Sequence, residues 1–201
     1  LQAALRKPAF WVIALAFMAI YLNHGILITY ALVLFADRGV GAGVAAIAAA
    51  TIGPAQVVGR LILLAAGARV STARATVISL GSVVLAGVLL WLAGAAPALI
   101  FAFAVAQGAG VGLTSILRPV LIAEILGRSG FGAISGAAAV APILASAAAP
   151  SVGAMLLGLG GPGMVYATCL ALAVSGLGLM GFLLSQRERL VGCRSVRGES
   201  G

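Results

Sequence analysis

The sequence predicts an all-α membrane protein whose six transmembrane helices form one bundle. Six apolar stretches carry this prediction: Phe10–Phe35, Gly43–Ala66, Ala75–Ala93, Ala96–Leu117, Phe131–Leu157 and Met164–Leu184. Each reaches, or falls within a residue of, the ~20 residues a helix needs to cross a bilayer. Composition agrees: 63% of the 201 residues are apolar and 8% charged, with a mean hydropathy of +1.22. Four acids and twelve bases cannot cover a water-soluble fold of this length.

The third observation is where the bases lie. Arg6 and Lys7 precede the first stretch, and Arg69 and Arg74 lie between the second and third. Arg118 and Arg128 lie between the fourth and fifth, and Arg187, Arg189, Arg194 and Arg197 follow the sixth. Ten bases thus share one side, against Arg38 alone on the other and Arg60 within a span. By the positive-inside rule both ends of the segment are expected in the cytoplasm. The net charge of +8 does not indicate nucleic acid, because bases scattered between spans make no basic face.

Taken in order, residues 1–9 read as a cytoplasmic lead-in, with Pro8 near a helix start and Phe10 and Trp11 at interfacial depth. Residues 10–184 are the expected bundle. Asp37–Gly41 and Gly94–Ala95 are expected external turns, and Gly53–Pro54 an expected kink in the second span. In Arg118–Gly130, Val120, Leu121, Ile125 and Leu126 recur at helical spacing. They predict a short helix lying at, or continuing into, the membrane face. Pro142 and Pro150 are expected distortions of the fifth span, and Gly158–Gly163 a third external turn. Residues 185–201 are a cytoplasmic tail whose polar Gly192–Gly201 is expected to be disordered. Gly108 with Gly112, and Gly132 with Gly136, are small-residue pairs that let helix backbones approach closely.

Few residues inside the spans carry chemistry. Arg60 lies six residues before the end of its span, about 9 Å deep at 1.5 Å per residue. A buried charge of this kind faces a cavity or a partner unless it snorkels to the headgroups. Gln56, one turn earlier, could present donors to the same anionic group. His24, beside Asn23 and one turn after Tyr21, is the intramembrane group that titrates near neutrality. Gln107 and Thr114 share a stripe of the fourth span, and Ser135, Ala139, Pro142 and Ser146 form one in the fifth. The candidate substrate-binding residues are therefore Arg60, Gln56, His24, Asn23, Tyr21, Gln107 and Thr114. No catalytic residue, metal or cofactor is expected: the single His precedes every plausible Ser nucleophile, and metal-ligand clusters are missing from the sequence. Cys169 and Cys193 have no spaced partners that would suggest a disulfide framework.

Six spans with polarity in the first, second, fourth and fifth resemble the C-terminal half of a major facilitator superfamily transporter. RKPAFWVIALAF is similar to the entry of that family's seventh helix. GPAQVVGRLILLAAGARVS is similar to its eighth helix running into the Gly/Arg-rich loop motif. AEILGRSGFGAISG, followed by AAPSVGAML, resembles the tenth-to-eleventh connection and eleventh helix of the monocarboxylate and oxalate–formate branch.

The resemblance covers roughly Arg6–Leu184 and implies two inverted three-helix repeats. In that branch an Arg matching Arg60 binds the substrate carboxylate, often with an Asp one turn earlier; here that position is Gln56. The Gln removes a titratable partner, and Gly67-Ala68-Arg69 lacks the acid usual in the loop motif. The implied function is secondary active transport, such as symport, of a small organic anion such as a monocarboxylate by alternating access, this chain being one half of the transporter. The partners would be the lipid bilayer and the N-terminal six-helix half of the same transporter. Eleven Arg among twelve bases, with heavy Ala and Gly use, suggests a GC-rich bacterial source, and the expected location is the bacterial inner membrane. The alternative is a stand-alone six-helix membrane scaffold or subunit.

Overall fold

Pro8 opens the first long helix because its fixed φ suits a first helical turn and its missing N–H would be unpaired there anyway. The computed structural model describes residues 1–198, and the side chains of residues 1–67 and 69–187. A short helix α1 (Gln2–Leu5) leads into α2 (Pro8–Asp37), α3 (Ala42–Ala66), α4 (Thr72–Leu92), α5 (Leu99–Leu126) and α6 (Phe131–Gly198). Ser71 caps α4, its hydroxyl accepting the Arg74 N–H at 3.3 Å. A single 3-10 turn, Gly67–Arg69, joins α3 to α4. Among the described residues there is no strand.

Helix α6 consists of two helical arms. Gly160 (φ −150°, ψ 16°) and Gly161 (φ 65°, ψ −164°) break it, and the second of these is a left-handed position that glycine takes without strain. Contacts with α2 show that the chain reverses there. Along the first arm, Ala149 lies by Gly25 and Gly153 by Tyr30, so both numbers rise together and the helices are parallel. Along the second arm, Tyr166 reaches Leu34, Cys169 meets Asn23, and Gly176 meets Ile20 and Ala16. That order is antiparallel. Six apolar helical stretches therefore exist, with Gly158–Gly163 turning where the sequence predicts.

The same reasoning orients the rest. The α3 contacts Ile52–Gly108 and Gln56–Gly112 make it parallel to α5, while Ser79–Gly110 and Ser82–Ala106 make α4 antiparallel to α5. Asn23–Gln107 and Phe35–Phe103 set α2 against α5. The stretches alternate in direction, so Arg6, Lys7, Arg69, Arg74, Arg128 and Arg187 all belong to one end. There Glu124 accepts the Thr72 hydroxyl at 2.7 Å and pairs with Arg187 at 3.4 Å. At the other end Arg38 lies over the Tyr166 ring at 3.9 Å, and the Tyr166 hydroxyl donates to Leu34 O and Asp37.

The packing is reciprocal. Helix α2, first of the chain's first three spans, packs on both arms of α6. Helix α5, first of the second three, packs on α3 and α4. Two apolar clusters fill the interior. One, at the turn end, draws on α2, α3, α4, α5 and α6, from Ile26 and Ile52 to Tyr166. The other, at the basic end, draws on α1, α2, α4, α5 and α6 and contains no α3 residue. Beyond Ile52 the buried residues of α3 are Ala55 and Gly59, whose neighbours lie on α5, and Val57, Val58, Leu61 and Ile62 face outward. The α3 helix thus leaves α2 as it descends.

Four expectations change. Helix α5 does not stop at Leu117 but continues through Pro119 to Leu126, so the expected short helix continues the fourth span and Arg118 is inside it. The Gly94–Ala95 turn is longer, occupying residues 93–98. Gly108 and Gly112 do bring backbones together, but Gly132 and Gly136 have no neighbour within 4 Å of a Cβ built on them. The chain after Leu184 is helical to Gly198, whereas its polar composition predicts disorder from Gly192; residues 199–201 lie outside the described residues. The helices continue through Pro54, Pro142 and Pro150.

Single cysteines at Gly41, Ala95 and Gly158, which are exposed at the turn end, test the topology once Cys169 and Cys193 are replaced. All three should react with an impermeant maleimide added outside the cell, and a cysteine at Ser129 should not. Reaction of Ser129→Cys alone would reverse the orientation.

Candidate functional site

The polar residues of the spans form two groups on different faces of α5. At 100° per residue, Gln107, Thr114 and Arg118 point toward α2, whereas Gly108 and Gly112 point toward α3.

The first group is sealed. Asn23 is 0% and Gln107 1% exposed. The Gln107 amide donates to Asn23 Oδ1 at 3.0 Å, and the Asn23 amide donates to Cys169 O at 2.7 Å. These bonds join α2, α5 and the second arm of α6 between the two apolar clusters. Gln107 Oε1 is buried without a partner. The Thr114 hydroxyl, also fully buried, donates to Val111 O at 2.6 Å in its own helix. Asn23 and Gln107 therefore tie helices together, while Thr114 is bonded within α5, and all three are buried in this bundle.

The second group is half-buried. Arg60 Nε donates to Gly112 O at 3.1 Å, and the Ser115 hydroxyl donates to the same oxygen at 2.8 Å. Gly112 makes this possible: a side chain there would run into the Gln56 backbone. Arg60 is thus held across the α3–α5 seam by one nitrogen. Among the described residues no carboxylate pairs with it. Gln56 is half-buried one turn before it, its backbone against Gly112.

On the α2 side, the Arg118 guanidinium lies 5.8 Å from the Tyr21 ring centroid, within cation–π range. Its Nε is buried without a partner, and no carboxylate of the described residues pairs with it. His24, one turn from Tyr21, is half-buried with Nδ1 unpartnered. Between the two arginines lies Ser115, exposed on the α5 surface where α3 has left α2. Pro119 has no N–H, so it also leaves the Ser115 carbonyl without its helical donor. In the fifth span's small-residue stripe, Pro142 is buried and Ser146 exposed, with the Ser146 backbone against Gly25.

Sequence reasoning singled out Arg60 and its neighbours and missed Arg118 and Ser115. It closed the fourth span at Leu117 because an Arg followed by Pro resembles a boundary. One signal points the other way: Arg118 follows Gln107 by eleven residues, three helical turns, which returns it to the same face.

No protein-family model matches the chain, and no curated protein sequence matches it significantly.

Proposed function

We propose that this bundle is one half of a secondary transporter that moves a small organic anion across the membrane by alternating access. The reading rests chiefly on Arg60, a guanidinium inside an apolar helix, tied by one nitrogen and unpaired by any described carboxylate. Burying a charge without a counter-ion is costly, and a transported anion supplies one transiently. The remaining N–H groups form a planar fork suited to a carboxylate.

The reciprocal packing of the two helix triplets supports the same reading. Transporters with inverted repeats place their sites where repeats meet, near the bilayer midplane. The α5 surface around exposed Ser115, beside Arg60 and where no α3 residue joins the basic-end cluster, is the candidate for such a place. The N-terminal six-helix half would cover this surface. The likeness to the major facilitator superfamily, and to its monocarboxylate branch, belongs to this proposal, as do a symport mechanism and a bacterial inner membrane. His24, one turn from Tyr21 and half-buried, is the titratable candidate for proton coupling.

Replacing Arg60 by Lys tests the reading, because Lys keeps the charge but loses the fork. Losing a charged hydrogen bond costs about 1.5–3 kcal/mol, which is roughly 10- to 150-fold in affinity. Carboxylate binding to the purified protein should weaken by that factor at unchanged expression. Unchanged affinity would reduce Arg60 to a tie between α3 and α5.

A further inference from the structure

We infer that Arg118, braced by Tyr21, is a second ligand-binding cation beside Arg60, and that the ligand carries a negative group at each of two ends. The inference rests on the anion-binding reading of Arg60.

Depth is the first argument. Ile52 faces Gly108, Gln56 faces Gly112 and Gly59 faces Ala109, so parallel α3 and α5 run level at an offset of 50 to 56 residues. Arg118 is therefore level with positions 62–68, the last turn of α3 and the bend that follows it. It lies two to eight residues, about 3–12 Å along the axis, beyond Arg60 toward the basic end.

Direction is the second. Helical side chains lean toward the N-terminus of their helix. Both α3 and α5 run toward the basic end, so both arginines lean away from it. The Tyr21 contact agrees: it draws the Arg118 guanidinium toward the middle of α2 instead of toward the headgroups. Snorkelling would take it the other way.

Placement around α5 is the third. Arg60 reaches α5 at Gly112, Arg118 leaves it toward α2, and exposed Ser115 lies between. The two cations thus lie on either side of an exposed hydroxyl-bearing position of α5, with no described carboxylate paired to either.

Charge balance completes the argument. A monoanion between two guanidinium groups leaves one uncompensated positive charge in a low-dielectric setting, and a ligand with two charges leaves none. Guanidinium groups on two different helices suit charges at separated ends of a short chain, such as a dicarboxylate. Ser115 would face the middle of that chain and supply a neutral hydrogen-bonding group.

The experiment compares succinate, propionate and inorganic phosphate as ligands of the complete protein in a neutral detergent at pH 7.5. Succinate should bind at least tenfold more tightly than propionate and more tightly than phosphate. Arg118→Gln should bring the succinate-to-propionate ratio to about one, and Arg118→Lys should restore most of it, which separates charge recognition from folding. Arg60-dependent binding with equal affinities for succinate and propionate would overturn the inference and leave the anion reading standing. So would an Arg118→Gln effect equal for both acids, which marks a structural role. Phosphate binding more tightly than succinate would overturn the two-ended ligand. No carboxylate binding, or binding that Arg60→Lys leaves unchanged, would overturn both readings.

Discussion

Replacing Gly112 by leucine is expected to push α3 off α5 and to lower the thermal midpoint of the purified protein by several degrees. A Cβ at this position would overlap the Gln56 carbonyl oxygen and lie 2.7 Å from Gln56 Cα. Those are backbone atoms, so no rotamer change relieves the overlap. One turn earlier, Gly108 is as close to Ile52 O and to the Ala55 side chain. The pair thus sets the separation of two helices over a full turn. Overpacking of this kind costs about 1–3 kcal/mol, which for a chain of this size corresponds to roughly 2–12 °C.

Separation would also move Gly112 O from Arg60 Nε, now 3.1 Å away, so carboxylate affinity should fall with stability. Gly136→Leu is the matched control, because nothing lies within 4 Å of its Cβ position. Equal melting of the two variants in a detergent thermal scan would show that the α3–α5 approach is not set by Gly112.

The contrast between these glycine pairs shows what a sequence can and cannot carry. Spacing marks both pairs as small faces, but which face meets a neighbour depends on how α6 is rotated against α2. That rotation is set by distant residues such as Tyr30, whose hydroxyl donates to Pro150 O. The spans themselves were legible because bilayer thickness imposes a length and the bases mark one end.

The fourth span's end was not, because Arg118 and Pro119 together read as a boundary. The helix continues because Leu121, Ile122 and Leu126 are buried in the basic-end cluster, and Glu124 is engaged by Thr72 and Arg187. Tertiary contacts outweigh the local cost of a proline. The site was legible in part for the same reason. Arg60 stands out against apolar neighbours, whereas Arg118 looks like one of many loop bases until α5 is seen to pass through it. Asn23 and Gln107 were recognisable as polar, but only the fold shows that each is the other's partner.

That partnership yields a second large expected effect. Asn23→Leu removes the acceptor of the Gln107 amide and the donor to Cys169 O. It leaves Gln107, whose Oε1 already lacks a partner, with no side-chain bond in a site 1% exposed. Stranding a buried polar group costs about 1–3 kcal/mol. Cross-helix hydrogen bonds within membranes are worth about 0.6 kcal/mol on average and up to about 1.7 kcal/mol. A fall of about 1–3 kcal/mol in unfolding free energy is therefore expected for the single variant.

The double variant Asn23→Leu/Gln107→Leu should be no less stable than Asn23→Leu alone, because it removes the stranded amide and fills the space with apolar atoms of similar volume. Denaturant unfolding of the wild type, both single variants and the double variant completes the cycle. A large non-additive recovery is the expected outcome. Strict additivity would mean that the two side chains act independently, and that the junction of α2, α5 and the second arm of α6 is held by apolar packing alone.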